Sequence, residues 1–89
     1  MKNLSNLELY EIGHNDSVTR EGKTYHIQTE VYPSTTLKIR TSVFRGGALL
    51  DAILKEVQPS SLDQMSQVSQ LAKNQHENTV RNVLDGKYT

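Results

Sequence analysis

The sequence predicts an α+β domain in which an antiparallel β-meander of three to five strands is followed by one long C-terminal α-helix. Two runs with alternating side-chain character, residues 24–32 and 37–45, predict neighbouring strands. Glycine or proline marks the turns around these runs. Residues 62–84 contain no glycine or proline, and their apolar side chains recur three and four positions apart, which predicts the helix.

The chain of 89 residues is long enough for one domain and too short for two. We therefore assign residues 1–89 to a single domain, with the meander over about 7–57 and the helix over about 61–85.

The N-terminal part of the meander has the weakest pattern. Residues 7–12 alternate and predict a first strand, although apolar side chains fall on both of its faces. Residues 13–17 are rich in turn formers and predict a loop. A hairpin then joins residues 17–20 to the strand over 24–32, because Gly22 can adopt the positive φ of a tight turn.

The two central strands predict their own pairing. Pro33 ends the first strand, since proline cannot donate to a β-ladder. Pairing the strands in phase around this loop sets Glu30 opposite Lys38 and Gln28 opposite Arg40, so that polar partners share one face. The other, more apolar face then carries Tyr25, Ile27, Thr29, Val31, Leu37, Ile39, Thr41 and Val43.

Residues 48–57 fit two structures. Leu50, Ala52 and Leu54 have strand spacing, whereas apolar side chains three and four apart also suit a helix. The turn at Gly46 and Gly47, together with the preceding strand, favours a further meander strand that is buried on both faces.

The helix begins after a break at Pro59, with Ser60 or Ser61 as its N-cap, and ends at Gly86. About twenty-three residues extend for roughly 35 Å, which exceeds the width of a four-stranded sheet with strands about 4.8 Å apart. Part of the helix should therefore overhang the sheet unless it lies along the strands or breaks.

The apolar stripe of this helix is interrupted where Gln75, His76 and Thr79 replace apolar residues. One interpretation is an amphipathic helix packed on its own sheet. The other is a seam that pairs with a helix of another chain, where a buried Gln75 or His76 would set the register. The candidate interface residues on the stripe are Met65, Val68, Leu71, Ala72, Val80 and Val83.

Composition limits the possible functions. Ten Lys and Arg residues balance ten Asp and Glu residues, so the surplus of cations typical of nucleic-acid binding is missing. The chain has no cysteine, which excludes disulfides and thiolate chemistry and fits a cytoplasmic protein. Since 35% of residues are hydrophobic, the core is thin. Either the protein is marginally stable, or a copy of the chain or a partner protein covers part of its apolar surface. We expect no membrane span, metal or cofactor.

The best candidate binding surface is the polar face of the two central strands. A histidine near a carboxylate could perform acid–base chemistry, although cross-strand ion pairs on a solvated sheet face explain the same pattern. Phe44 on this face suits an interface anchor, or it lies in the core if the helix covers this face. The candidate binding residues are His26, Gln28, Glu30, Lys38, Arg40 and Phe44.

The block Gly-x-x-Tyr-His-x-Gln-Thr-Glu at residues 22–30, followed by a strand that ends in Gly46-Gly47, resembles a small family of uncharacterised bacterial proteins. The resemblance covers residues 17–50. It implies a bacterial protein with a β-rich core and brings no activity or catalytic residues.

These observations predict a non-catalytic module for protein–protein interaction or self-association, with a homodimer or another protein as partner. The alternative is a small-ligand-binding protein or enzyme that uses the surface around His26, Glu30 and Arg40. A second alternative is a weak binder of single-stranded nucleic acid through Lys38, Arg40 and Arg45 with Phe44 stacking.

Overall fold

The computed structural model describes residues 13–33, 37–57 and 65–89. Four antiparallel strands form one sheet in the order β1-β2-β3-β4, and a helix follows. The predicted fold class is therefore confirmed, whereas the predicted strand over residues 7–12 and the predicted N-cap lie outside the described residues. The elements are β1 (His14–Arg20), β2 (Lys23–Pro33), β3 (Leu37–Arg45), β4 (Ala48–Val57) and α1 (Met65–Leu84).

Two tight turns of the same kind close the hairpins at one end of the sheet. Glu21 and Gly22 have φ of 51° and 78°, and Gly46 and Gly47 have φ of 58° and 81°. Positive φ at both central residues defines a type I′ turn, whose twist matches that of the strands it joins.

β1 begins earlier than the sequence indicated. Residues 13–17 were predicted as a loop, but His14 already pairs with Thr29 and Asp16 with Ile27. The prediction was wrong because pairing with a long neighbouring strand outweighs the turn propensity of individual polar residues.

The register of β2 and β3 differs by two residues from the predicted one. Glu30 lies opposite Arg40 rather than Lys38, and Gln28 lies opposite Ser42 rather than Arg40. The reason is that Pro33 is the last paired residue of β2 instead of a loop residue; proline is tolerated at a strand end. A shift of two residues leaves every side chain on its predicted face.

Residues 48–57 form a strand, as predicted, but β4 is not buried on both faces. A β-bulge interrupts its pairing with β3. Asp51 lies opposite Val43, whereas Leu49 lies opposite Phe44, so Leu50 is the extra residue.

The core lies between one face of the sheet and α1, which packs mainly over β1, β2 and β3. Val68, near the start of α1, packs with Val31 and Leu37, whereas Val83, near its end, packs with Tyr25 and Val43 at the other end of the same strands. The helix therefore lies along the strands. The predicted overhang is thereby avoided, since both α1 and β2 extend for about 30–36 Å. One cluster contains Val31, Leu37, Ile39, Val68 and Ala72, and the other contains Tyr25, Ile27, Val43 and Val83.

The end of α1 is fixed by its own backbone and by β1. The N–H of Lys87 donates to the C=O of Asn82 at 3.0 Å, and Gly86 has φ of 88°, as in a Schellman motif. The predicted stop at Gly86 is confirmed. Arg20 Nε donates to the C=O of Leu84 at 3.0 Å, which places a cation at the negative end of the helix dipole.

Candidate functional site

The six predicted binding residues all lie on the outer face of the sheet, opposite the helix. His26 pairs with Phe44 across the two central strands, and Glu30 pairs with Arg40. Lys38 lies opposite Tyr32 on one side and Glu56 on the other.

The contacts on this outer face are solvated and weak. Gln28 Nε2 donates to Glu30 Oε1 at 2.8 Å, and Lys38 Nζ lies 3.9 Å from Glu56 Oε1. Exposed pairs of this kind contribute little to stability. His26 and Glu30 are four residues apart on β2, which separates them by about 13 Å along the strand. The face therefore does not bring this histidine and carboxylate together for proton transfer.

The stripe of α1 is used within the chain. Val68, Ala72 and Val83 are buried against the sheet, and Leu71 and Val80 pack at the edges of the same clusters. The side chain of Met65, the sixth predicted interface residue, lies outside the described part. The helix thus packs on its own sheet, which answers the question that the sequence left open.

A polar layer crosses the core between the two apolar clusters. The side chain of His76 is buried, with only 3% of the residue exposed. Its Nε2 lies 2.6 Å from Asp16 Oδ2, and its Nδ1 lies 2.7 Å from Thr29 Oγ1. The hydroxyls of Thr29 and Thr41 are 2.8 Å apart, and Gln75 Nε2 donates to Thr41 Oγ1 at 3.1 Å. Gln75 Nε2 also donates to the C=O of Ile53 at 3.2 Å, so the layer links all four strands through two helix side chains.

The amide of Gln75 donates at one end of this chain of hydrogen bonds. The hydroxyls of Thr41 and Thr29 can each donate or accept, and the two ring nitrogens of His76 face Thr29 and Asp16. Each of these side chains therefore has a hydrogen-bond partner, as a buried polar group requires.

Asp16, His76 and Thr29 follow one another as carboxylate, imidazole and hydroxyl, the order of groups in a catalytic triad. Thr29 is 1% exposed, however, and its hydroxyl is shared with the Thr41 hydroxyl. A substrate cannot reach an oxygen that is enclosed between sheet and helix, so the layer positions the helix rather than reacting. The described residues also contain no group of three or more His, Cys, Asp or Glu side chains that could hold a metal ion.

His14 lies beside this layer, with its ring centre 5.3 Å from that of His76. Burial, and then the neighbouring charge of His76, lower the pKa of His14. The sequence had indicated that Gln75, His76 and Thr79 break the helix stripe, but not that Thr29 and Thr41 face them across the core.

Among the described residues, three of the four large apolar side chains that are exposed lie on β4, and the fourth is Leu84 on the helix. Leu49, Leu50 and Leu54 are 49%, 38% and 52% exposed. We call these three side chains the β4 leucines. Leu49 and Leu54 lie on the outer face, and Leu50 lies at the bulge. Sequence analysis missed this surface because it expected residues 48–57 to be buried on both sides.

The carboxylate of Asp51 organises the same strand. Its Oδ1 accepts the N–H of Ala52 at 2.9 Å, and its Oδ2 accepts the hydroxyl of Tyr88 at 2.8 Å. Burial, the hydrogen bond and the carboxylate charge together raise the pKa of Tyr88 to about 12. The C-terminal residues are thereby tied to β4.

No known family, curated protein or solved structure matches this chain. The resemblance to a bacterial family therefore stays a prediction, and the function has to be argued from the surfaces described above. Within the described residues, no helix has the length and apolar character needed to cross a membrane.

Proposed function

We propose that this protein is a non-catalytic module for self-association, and that it binds through β4. The observation that carries the proposal is the set of β4 leucines, which are exposed on a strand paired with β3 alone among the described strands. Large exposed apolar groups and an open strand edge are both features that proteins normally cover.

Two further observations support this choice over the alternatives. The apolar stripe of α1 is occupied by its own sheet, so association through that stripe would require the core to open. His26 and Glu30 of the outer face are separated, and the hydroxyls of Thr29 and Thr41 in the polar layer are buried, so neither arrangement favours catalysis.

The test is the molar mass in solution, by light scattering, of the wild-type chain, Leu54→Asp and Leu84→Asp. Leu54 and Leu84 are both 52% exposed, but Leu84 lies on the helix, which makes Leu84→Asp a matched control. We expect the wild-type chain to be a dimer, the Leu54→Asp variant to be a monomer and the Leu84→Asp variant to remain a dimer. Charge on a desolvated apolar contact costs several kcal/mol, enough to dissociate a moderate dimer at about 10–100 µM.

A wild-type monomer at high protein concentration would contradict the proposal. So would loss of the dimer in both variants to the same extent, since that would mean that β4 is not the specific surface. Circular dichroism of each variant checks that the monomer is folded.

A further inference from the structure

We infer that β4 pairs antiparallel with β4 of a second copy about a two-fold axis at Ile53, which joins two sheets into one of eight strands. This inference rests on the proposed self-association and adds the occupant, the direction and the register of the contact.

Among the described strands, β4 pairs with β3 alone, which leaves its other backbone edge open towards such a partner. The N–H of Ala52 donates to the side chain of Asp51 at 2.9 Å. In an antiparallel pair, alternate residues direct their backbone groups to the neighbouring strand and away from it. The backbone groups of Ala52, Leu54 and Glu56 therefore face the open edge, where a further strand can accept and donate.

Symmetry limits the possible registers. A two-fold axis perpendicular to the sheet keeps the helix-side face of both copies continuous, so Asp51, Ile53 and Lys55 of one copy must pair among the same residues of the other. An axis at Ile53 sets Asp51 opposite Lys55 of the second copy, twice. An axis at Ala52 sets Asp51 opposite Ile53, and an axis at Leu54 sets Ile53 opposite Lys55.

Charge complementarity selects the axis at Ile53. Opposite charges directly across a strand pair are favourable, whereas the other two registers leave a charged group facing Ile53. The strand is thus complementary to itself. β1, the other edge strand, has the sequence HNDSVTR and offers no comparable run of leucines.

The proposed pairing also gives new partners to the groups of β4 that form hydrogen bonds at the open edge. In the proposed pair, the N–H of Ala52 donates to the C=O of Leu54 from the second copy instead of to the Asp51 carboxylate of its own chain. Asp51 Oδ1 is then released towards Lys55 of the second copy, while Tyr88 keeps Oδ2. On the outer face, Leu54 packs beside the small side chain of Ala52 from the second copy.

Engineered disulfides test this register, because the chain has no cysteine of its own. The two Ile53 residues would form a non-hydrogen-bonded pair with Cα atoms about 4.5 Å apart, within the range of a disulfide. Ile53→Cys is therefore expected to give a disulfide-linked dimer under mild oxidation. Lys55→Cys is the matched control, because its two copies would be about 13 Å apart along the strands and should not cross-link.

Exchange of charges gives a second, independent test. Asp51→Lys and Lys55→Asp each place like charges opposite one another, so each variant alone should self-associate about tenfold or more weakly. Mixing the two variants restores both opposite-charge pairs, and we expect a heterodimer of wild-type strength. If Asp51→Lys fails to fold because Tyr88 loses its acceptor, the cysteine pair still decides the question.

The outcomes separate the two proposals. Two outcomes overturn this register but leave self-association standing. In the first, light scattering shows a dimer that cross-links through Lys55→Cys but not through Ile53→Cys. In the second, the mixture of Asp51→Lys and Lys55→Asp associates no more strongly than either variant alone. A wild-type monomer overturns both.

Discussion

The two edge strands of the sheet differ in composition and in how they are covered. β1 is polar, and α1 binds it at both ends, through the Asp16–His76 pair at 2.6 Å and through Arg20 at the C=O of Leu84. β4 carries the exposed leucines and lies beside the main contacts of the helix. Within the described part of the chain, the helix thus packs over the polar edge strand, reaches β4 through the hydrogen bond from Gln75 to the C=O of Ile53, and leaves the β4 leucines exposed. An edge without its usual protection is where association is expected.

Removal of the β1 contact has the largest expected effect on stability. His76→Ala leaves a cavity and deprives Asp16 and Thr29 of a partner, so we expect a loss of about 2–4 kcal/mol in the free energy of unfolding. Urea unfolding in a Leu54→Asp background measures this without a contribution from association. Glu77→Ala, on the exposed side of the same helix turn, should change the value by less than about 0.5 kcal/mol. Equal effects would refute the role of the layer.

Alkaline pH should weaken the contact between the C-terminal residues and β4. Because the pKa of Tyr88 is raised from 10.0 to about 12, the unfolded chain loses this proton first. The stability contributed is full below pH 10 and is lost as the pH rises towards 12.

Tyr88→Phe removes this contribution together with a hydrogen bond worth about 1 kcal/mol at neutral pH. We expect the urea midpoints of wild type and variant to converge as the pH rises from 10 towards 12, the interval between the ordinary and the raised pKa of Tyr88. An unchanged difference between them would show that Asp51 does not hold the proton of Tyr88. Thr89→Ser, a change in the adjacent exposed residue that keeps its hydroxyl, is the control.

Acid should weaken the β1 side, with the smallest effect. His14 faces Asp16 on its own strand and His76, Glu77 and Lys73 on the helix, and burial is the main cause that lowers its pKa from 6.5. The unfolded chain therefore binds a proton more readily. The stability contributed is present above pH 6.5 and is lost as the pH falls through the pKa of the folded chain.

His14→Gln is expected to flatten this acid dependence, measured as the thermal midpoint between pH 7.5 and pH 5, a range that brackets the ordinary pKa of histidine of about 6.5. Asn15→Ser, a change in the adjacent exposed residue of β1, should keep the wild-type slope. If both variants retain that slope, burial of His14 has no thermodynamic effect.

Local patterns were sufficient for the architecture and for the faces of the central strands. Alternation in β2 and β3 assigned each side chain to the correct face, and the glycines marked the turns. The register could not be obtained, because a period of two is satisfied equally by shifts of two residues. Asp16 and its neighbours read as a loop, since the contact that holds Asp16 comes from His76, sixty residues further along the chain.

The candidate site was less accessible to sequence reasoning. The outer-face residues were correctly placed together, but spacing along β2 keeps His26 and Glu30 apart. The interruption at Gln75 and His76 was visible, whereas its partners, Thr29 and Thr41, looked like ordinary strand residues. Exposure of the β4 leucines depends on where α1 lies across the sheet, and that is a tertiary property.

Amide hydrogen exchange at two protein concentrations tests the central claim most directly, because it compares the two edges in one experiment. We predict that the amides of Ala52, Leu54 and Glu56 gain protection as concentration rises, while those of β1 do not change. A gain on β1, or no concentration dependence on β4, would contradict the assignment of β4 as the associating edge.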